Sequence, residues 1–153
     1  MRGNLRAITE ERVAADYLKL IYASQNSLRC FFTMLANTAN LPMVFFCAKG
    51  RDRTGIVAAM LLTLMRCHRD DILDNYENAV GVDVFIPSLE SEAFARAGLC
   101  PSAYKLAYMA SRRSMAIFLE SVACEHVSID HFMYSFLGLS PLTVEAIKSN
   151  LRD

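Results

Sequence analysis

Cys47 and Arg53 are separated by five residues, Ala48-Lys49-Gly50-Arg51-Asp52, and are followed directly by Thr54-Gly55. The run before them, Met43-Val44-Phe45-Phe46, is short, apolar and preceded by Pro42, which predicts a buried, central strand. The run after them, Ile56-Val57-Ala58-Ala59-Met60-Leu61-Leu62, predicts a buried helix. A strand-to-helix loop of this kind suits an anion, because successive N–H groups from Ala48 to Arg53 converge and the helix dipole adds positive potential. The guanidinium fork of Arg53 matches two phosphate oxygens in a way a lysine does not. The same field favours the thiolate of Cys47, a nucleophile able to attack phosphorus. The Thr54 hydroxyl is placed to hydrogen-bond the sulfur and ease its departure when water breaks a phosphocysteine. Gly50 permits a sharp turn and Gly55 permits close packing. The bland reading of the same residues is an inert, buried cysteine beside a basic loop.

Spacing alone separates these readings poorly. With five cysteines in the chain and arginine at about one residue in twenty, a chance Cys-to-Arg match arises in roughly a quarter of such chains. Adding the glycine, the threonine after the arginine, the apolar run before and the helix after reduces accident to roughly one in several hundred.

The elements that must carry this loop follow from periodicity. Val13, Tyr17, Ile21, Leu28, Phe31, Phe32 and Leu35 recur at steps that share one helical face, predicting a long amphipathic helix from Thr9 to about Asn37. Thr9 caps it, Glu10 and Glu11 suit its positive end, and Asn40-Leu41-Pro42 stops it. Asp70 or Asp71 is the expected cap of a helix that turns Ile72, Tyr76 and Ala79 inward and ends at Gly81. Val82–Ile86 reads as an extended linker in preference to a strand, and Pro87–Pro101 as a short helical or irregular segment. Tyr104, Tyr108, Ser111, Met115, Phe118 and Val122 mark a second long helix. Ser128 caps a short helix closed by Gly138, and Ser140-Pro141 opens the last one, through Ile147 and Leu151. A single strand leaves a problem, since the backbone groups of a buried strand need partners on both edges.

The 153 residues, 54% hydrophobic and 21% charged, suit one globular domain over 1–153 and argue against disorder. Lys plus Arg and Asp plus Glu number 16 each, so no global charge draws the chain to nucleic acid or an anionic membrane. The longest nearly apolar run, Ile56–Met65, is about half the roughly 18 residues a bilayer crossing needs. Met1-Arg2-Gly3-Asn4-Leu5-Arg6 lacks the apolar stretch of a secretory signal, which makes the cytoplasm the expected compartment. The cysteines at 30, 47, 67, 100 and 124 form no Cys-X-X-Cys pair, arguing for reduced thiols over a disulfide framework or a zinc site. Cys30 or Cys67 would shield Cys47 as a reversible disulfide if either lies close to it. His68, His126 and His131 are not at metal-ligand spacing and read as surface residues. The methionines and aromatic residues read as core, and Arg112-Arg113 and Asp70-Asp71 as solvated faces.

The loop Cys-Ala-Lys-Gly-Arg-Asp-Arg-Thr-Gly resembles the signature of the cysteine-dependent protein tyrosine phosphatases. It is most similar to the bacterial and fungal tyrosine-serine phosphatase subfamily, whose loop reads His-Cys-X-X-Gly-Lys-Asp-Arg-Thr-Gly and some of whose members hydrolyse phosphoinositides. The helices flanking the loop, Ile72 with Tyr76, and Phe136-Leu137-Gly138-Leu139-Ser140 resemble the C-terminal half of that subfamily's domain. The resemblance implies an α/β, helix-dominated phosphatase-like domain with a central strand, phosphate loop and helix, its sheet incomplete because the family's other strands would lie upstream of the long helix. It implies catalysis by Cys47, Arg53 and Thr54, substrate binding by residues 48–53, and no cofactor or metal. Phe46 stands where the family has histidine, implying weaker activity. The family's upstream general-acid loop has no counterpart, which turns attention to Asp52.

Asp52 has two readings. It protonates the leaving oxygen, as the resemblance implies for branches with Lys-Asp-Arg loops, or it pairs with Arg51 or Lys49 and holds the loop's shape. Lys49, Arg51 and Arg53 give the loop three cations, which suit either a polyanionic substrate such as a phosphoinositide or a solvated basic rim. The expected substrates are phosphorylated proteins or phosphoinositides. A non-catalytic phosphate-binding module and a rhodanese-like sulfur carrier are the rivals, and the Arg-Thr-Gly ending favours phosphate over sulfur transfer.

Overall fold

The computed structural model describes residues 8–79, 96 and 111–152. Helices dominate it. They are α1 (Glu10–Ala23), α2 (Gln25–Leu35), a 3-10 turn (Thr38–Asn40), α3 (Asp52–Leu64), α4 (Arg69–Glu77) and α5 (Arg112–His126). A helical turn (Ile129–His131) then widens into a π-turn (Phe132–Phe136), and α6 (Pro141–Asn150) closes the chain. α1 lies along α5, α3 packs on α4, α4 on α5, and α2 on α6. The core between them is filled by side chains such as Phe32, Met60, Leu64, Phe118, Phe132 and Ile147.

Three helix starts follow the expected chemistry. Thr9 accepts from the Arg12 N–H, Ser128 from that of His131 and Ser140 from that of Thr143, with Pro141 at the first position of α6. Gly138 closes the π-turn at φ +66°. There the Arg29 side chain donates to the Leu137 carbonyl, and Gln25 reaches that of Phe136.

Other expectations are corrected. The long helix from Thr9 breaks at Ser24 (φ −107°, ψ 17°), because the apolar stripe skips from Ile21 to Leu28 and the two halves are held by different partners, α5 and α6. His68 caps α4 through its ring nitrogen, which accepts from the Asp70 N–H at 3.3 Å, and both aspartates fall in the first turn. The helix expected to run through Ser111 starts there instead, with the Ser111 hydroxyl capping α5. Arg113, Asp70 and Asp71 are exposed as expected, and on that solvated face Arg112 bridges to Asp70 and Asp74 on α4, and Arg113 to Glu10 and Glu11 on α1. Tyr104, Tyr108, the Val82–Ile86 linker and the Pro87–Pro101 segment lie outside the described residues.

The buried, central strand at Met43–Phe46 is the largest correction. The segment is not paired as a strand among the described residues, and Val44 and Phe46 are each 85% exposed. Met43 and Phe45 turn inward, and the Phe45 ring meets Phe31 edge-on at 5.2 Å. The alternation is that of a strand, but burial of both faces needs neighbouring strands that the described residues do not supply.

Candidate active site

The loop from Cys47 to Arg51 joins this extended segment to the start of α3. Gly50 takes φ +66°, and its N–H turns back on the Cys47 carbonyl at 3.3 Å. A Cβ at position 50 would meet nothing within 4 Å, so backbone conformation and not space calls for glycine there. At Gly55 the reason is space, since a Cβ would lie 2.7 Å from two carbons of the Tyr76 ring. The Gly55 N–H donates to the Arg51 carbonyl at 2.6 Å, which closes the first turn of the helix onto the loop.

Cys47 is half-buried inside this arc. Burial pushes its thiol up, but the neighbouring Thr54 hydroxyl and the amides of Thr54, Lys49 and Gly50 favour the thiolate and pull it down from 9.0 to about 7. The Thr54 hydroxyl is buried and makes no full hydrogen bond, so it acts on the thiol as a nearby polar group. These contacts form with Phe46 pointing into solvent where the resemblance implies a histidine.

The two arginines of the loop have different surroundings. Arg51 is 7% exposed and grips the Asp52 carboxylate with two nitrogens, Nε to Oδ1 and Nη2 to Oδ2, each at 3.0 Å. Burial works against its charge, and the Asp52 hydrogen bonds hold it protonated. Arg53 is exposed, with no hydrogen-bond or ion-pair partner among the described residues. It stands with Thr54 at the edge of an apolar groove lined by Leu20, Leu28, Phe31 and Phe45. Ala48 and Lys49 are exposed on the loop's outer side. Asp52 also accepts from the Tyr17 hydroxyl at 2.6 Å, a residue that its sequence position marked only as part of an apolar stripe.

The described cysteines are all free thiols. Cys47 precedes α3 and Cys67 follows it, so the 13 residues of that helix, at about 1.5 Å each, hold the two apart and rule out a disulfide between them. Among the described residues no three His, Cys, Asp or Glu side chains gather as metal ligands. No described helix is long and apolar enough to cross a membrane.

A thiol just before a helix N-terminus, within an arc of amides and beside an arginine with no partner among the described residues, is an arrangement able to hold an anion. The family model described as tyrosine phosphatase family matches residues 3–153, and the chain belongs to that family. No curated protein matches it.

Proposed function

We propose that this chain, as one domain, hydrolyses phosphate monoesters through a phosphocysteine on Cys47. The observation that carries the reading is the placement of the loop: the Cys47 thiol lies just before α3, where the Thr54 hydroxyl and three amides favour its ionised form, while exposed Arg53 has no partner among the described residues. The bound phosphoryl group sits over the sulfur, held by loop amides from Ala48 to Arg53 and by the Arg53 fork. The thiolate attacks phosphorus as the P–O bond to the leaving oxygen breaks. Water then attacks the phosphocysteine, and the Thr54 hydroxyl stabilises the departing sulfur.

Asp52, whose oxygens accept from Tyr17 and Arg51, holds the loop's shape in this reading. The rival role as general acid is separated by leaving group. An acid is needed most for a poor leaving oxygen, so Asp52→Asn would then slow phenyl phosphate far more than para-nitrophenyl phosphate. Equal losses on both support the loop-holding role.

Phosphotyrosine is the favoured substrate, because the apolar groove beside Arg53 suits an aromatic ring. The phosphoinositide reading rested on three cations, and Arg51, turned inward onto Asp52, is no longer available to it. The α/β reading accompanies the proposal: the alternating Met43–Phe46 segment is a strand awaiting neighbours. Reduced thiols suit a cytoplasmic setting.

Hydrolysis of para-nitrophenyl phosphate by wild type and Cys47→Ser, with and without a metal chelator, tests the reading. Chelator-resistant turnover that disappears in the variant is expected. A folded wild-type chain that binds vanadate without turnover would replace the enzyme with a phosphate-binding module.

A further inference from the structure

Four polar side chains from three parts of the chain meet at the start of α3. They are Tyr17 of α1, Arg51 and Asp52 at the start of α3, and Tyr76 of α4. The Tyr17 and Tyr76 hydroxyls are 2.5 Å apart, and both rings are buried. The direction of this chain follows from donor counting. Asp52 is an acceptor, so the one Tyr17 proton goes to it, and Tyr76 must donate to the Tyr17 oxygen. Burial pushes both phenols up, so they stay neutral donors. Two buried hydroxyls and a buried guanidinium are costly unless every one is met, and leucines at 17 and 76 would fill the same core without that requirement. The cluster therefore serves the loop more than the core.

Its connection to the nucleophile is short. Arg51 directly follows Gly50, whose amide reaches the sulfur, and the Arg51 carbonyl accepts the first helical bond from Gly55. Fixing Arg51 and Asp52 fixes the amide arc on one side and Thr54 on the other. We propose that Tyr17, backed by Tyr76, is a positioning residue that acts through Asp52 and Arg51 to hold the loop closed around the Cys47 sulfur. The proposal rests on Cys47 being the nucleophile of the reading above. The charged groups around that sulfur, Lys49, Arg51, Asp52 and Arg53, all belong to the loop or the first turn of α3. From the helices α1 and α4, the described groups facing this cluster are the two phenols.

The test uses the full chain and reads the thiol itself. Alkylation of Cys47 by iodoacetamide, located by mass spectrometry because Cys30, Cys67 and Cys124 are exposed, is followed against pH. Tyr17→Phe keeps the ring, which meets Tyr76 and Phe118 edge-on, and removes only the hydroxyl. Its expected effect is about fivefold slower alkylation at pH 7, corresponding to a midpoint raised by about one unit. The difference should disappear near pH 9. Tyr76→Phe should move the midpoint the same way by less, which provides a second variant should the first fail to fold. Tyr17→Phe combined with Asp52→Asn should be no slower than Asp52→Asn alone, since both act on one path. An unmoved midpoint in folded Tyr17→Phe, or additive effects in the double variant, overturns the proposal. Absent phosphatase turnover alongside a shifted midpoint would instead remove only the phosphatase reading.

Discussion

Gly55 and Tyr76 are in direct contact: the backbone of α3 lies so close to the ring that a Cβ at Gly55 would come within 2.7 Å of its Cδ2 and Cε2 atoms. The ring has nowhere to retreat, being buried and engaged edge-on by Tyr17. Gly55→Ala is therefore expected to destabilise the fold by about 1–3 kcal/mol despite alanine's better helix propensity. Urea unfolding checks this, and a stabilised variant would show that the two helices can separate freely.

Thr54→Val removes the hydroxyl that faces Cys47 while keeping the shape of the side chain. The thiol midpoint should then rise from about 7 toward its ordinary 9.0. Because the folded-state value is depressed, ionisation of Cys47 stabilises the folded chain fully above about pH 9, and that contribution is lost as pH falls through about 7. Alkylation rate and thermal stability should follow this window in wild type, and both responses should weaken in Thr54→Val.

Val127 sits at φ +65° and ψ −41°, with the Ser128 N–H closing back on the His126 carbonyl at 2.6 Å. This is a γ-turn on a β-branched residue, a strained arrangement. Val127 is exposed and its side chain contributes little packing. Val127→Gly should therefore stabilise the chain by about 1 kcal/mol, the opposite of a glycine placed in a helix. A lowered melting temperature would contradict this.

Lys148 of α6 bridges to Asp130 at 2.7 Å, and Arg66 reaches the other oxygen of the same carboxylate. Burial pushes the Asp130 carboxyl up, and the Lys148 hydrogen bond and both cations bring it below its ordinary 3.8. A depressed carboxylate contributes stability above its unfolded value and loses it as pH falls through the folded one. Lys148→Met should cost about 1 kcal/mol at neutral pH, with the difference shrinking as pH falls through the depressed Asp130 value. A cost that stays constant with pH would assign the effect to packing.

Much of the local structure was legible in the residues. Thr9, Ser128 and Ser140 cap helices because a short side-chain oxygen satisfies an otherwise unpaired N–H in the next turn, a requirement that two or three neighbouring residues express. Gly50 and Gly138 mark the positive φ angles for the same local reason. The loop from Cys47 to Gly55 was legible as a candidate anion site because its parts are adjacent in the chain. The break at Ser24 was less so. Ser24 and Gln25 interrupt the apolar stripe, but only packing on α5 and α6 turns that interruption into two helices.

The sequence by itself determined the candidate loop, the order of the helical segments and three of their caps, since each depends on contacts a few residues long. The tertiary structure decided, among the described residues, that Arg51 is bound and Arg53 has no partner, that Met43–Phe46 has no strand neighbour, and that Tyr17 meets Asp52 from 35 positions away. Those outcomes depend on which helices lie side by side. Periodicity can say that Tyr17 turns inward, but its hydroxyl finds a partner only when α1 is laid across the start of α3, and that placement is set by the packing of the whole core.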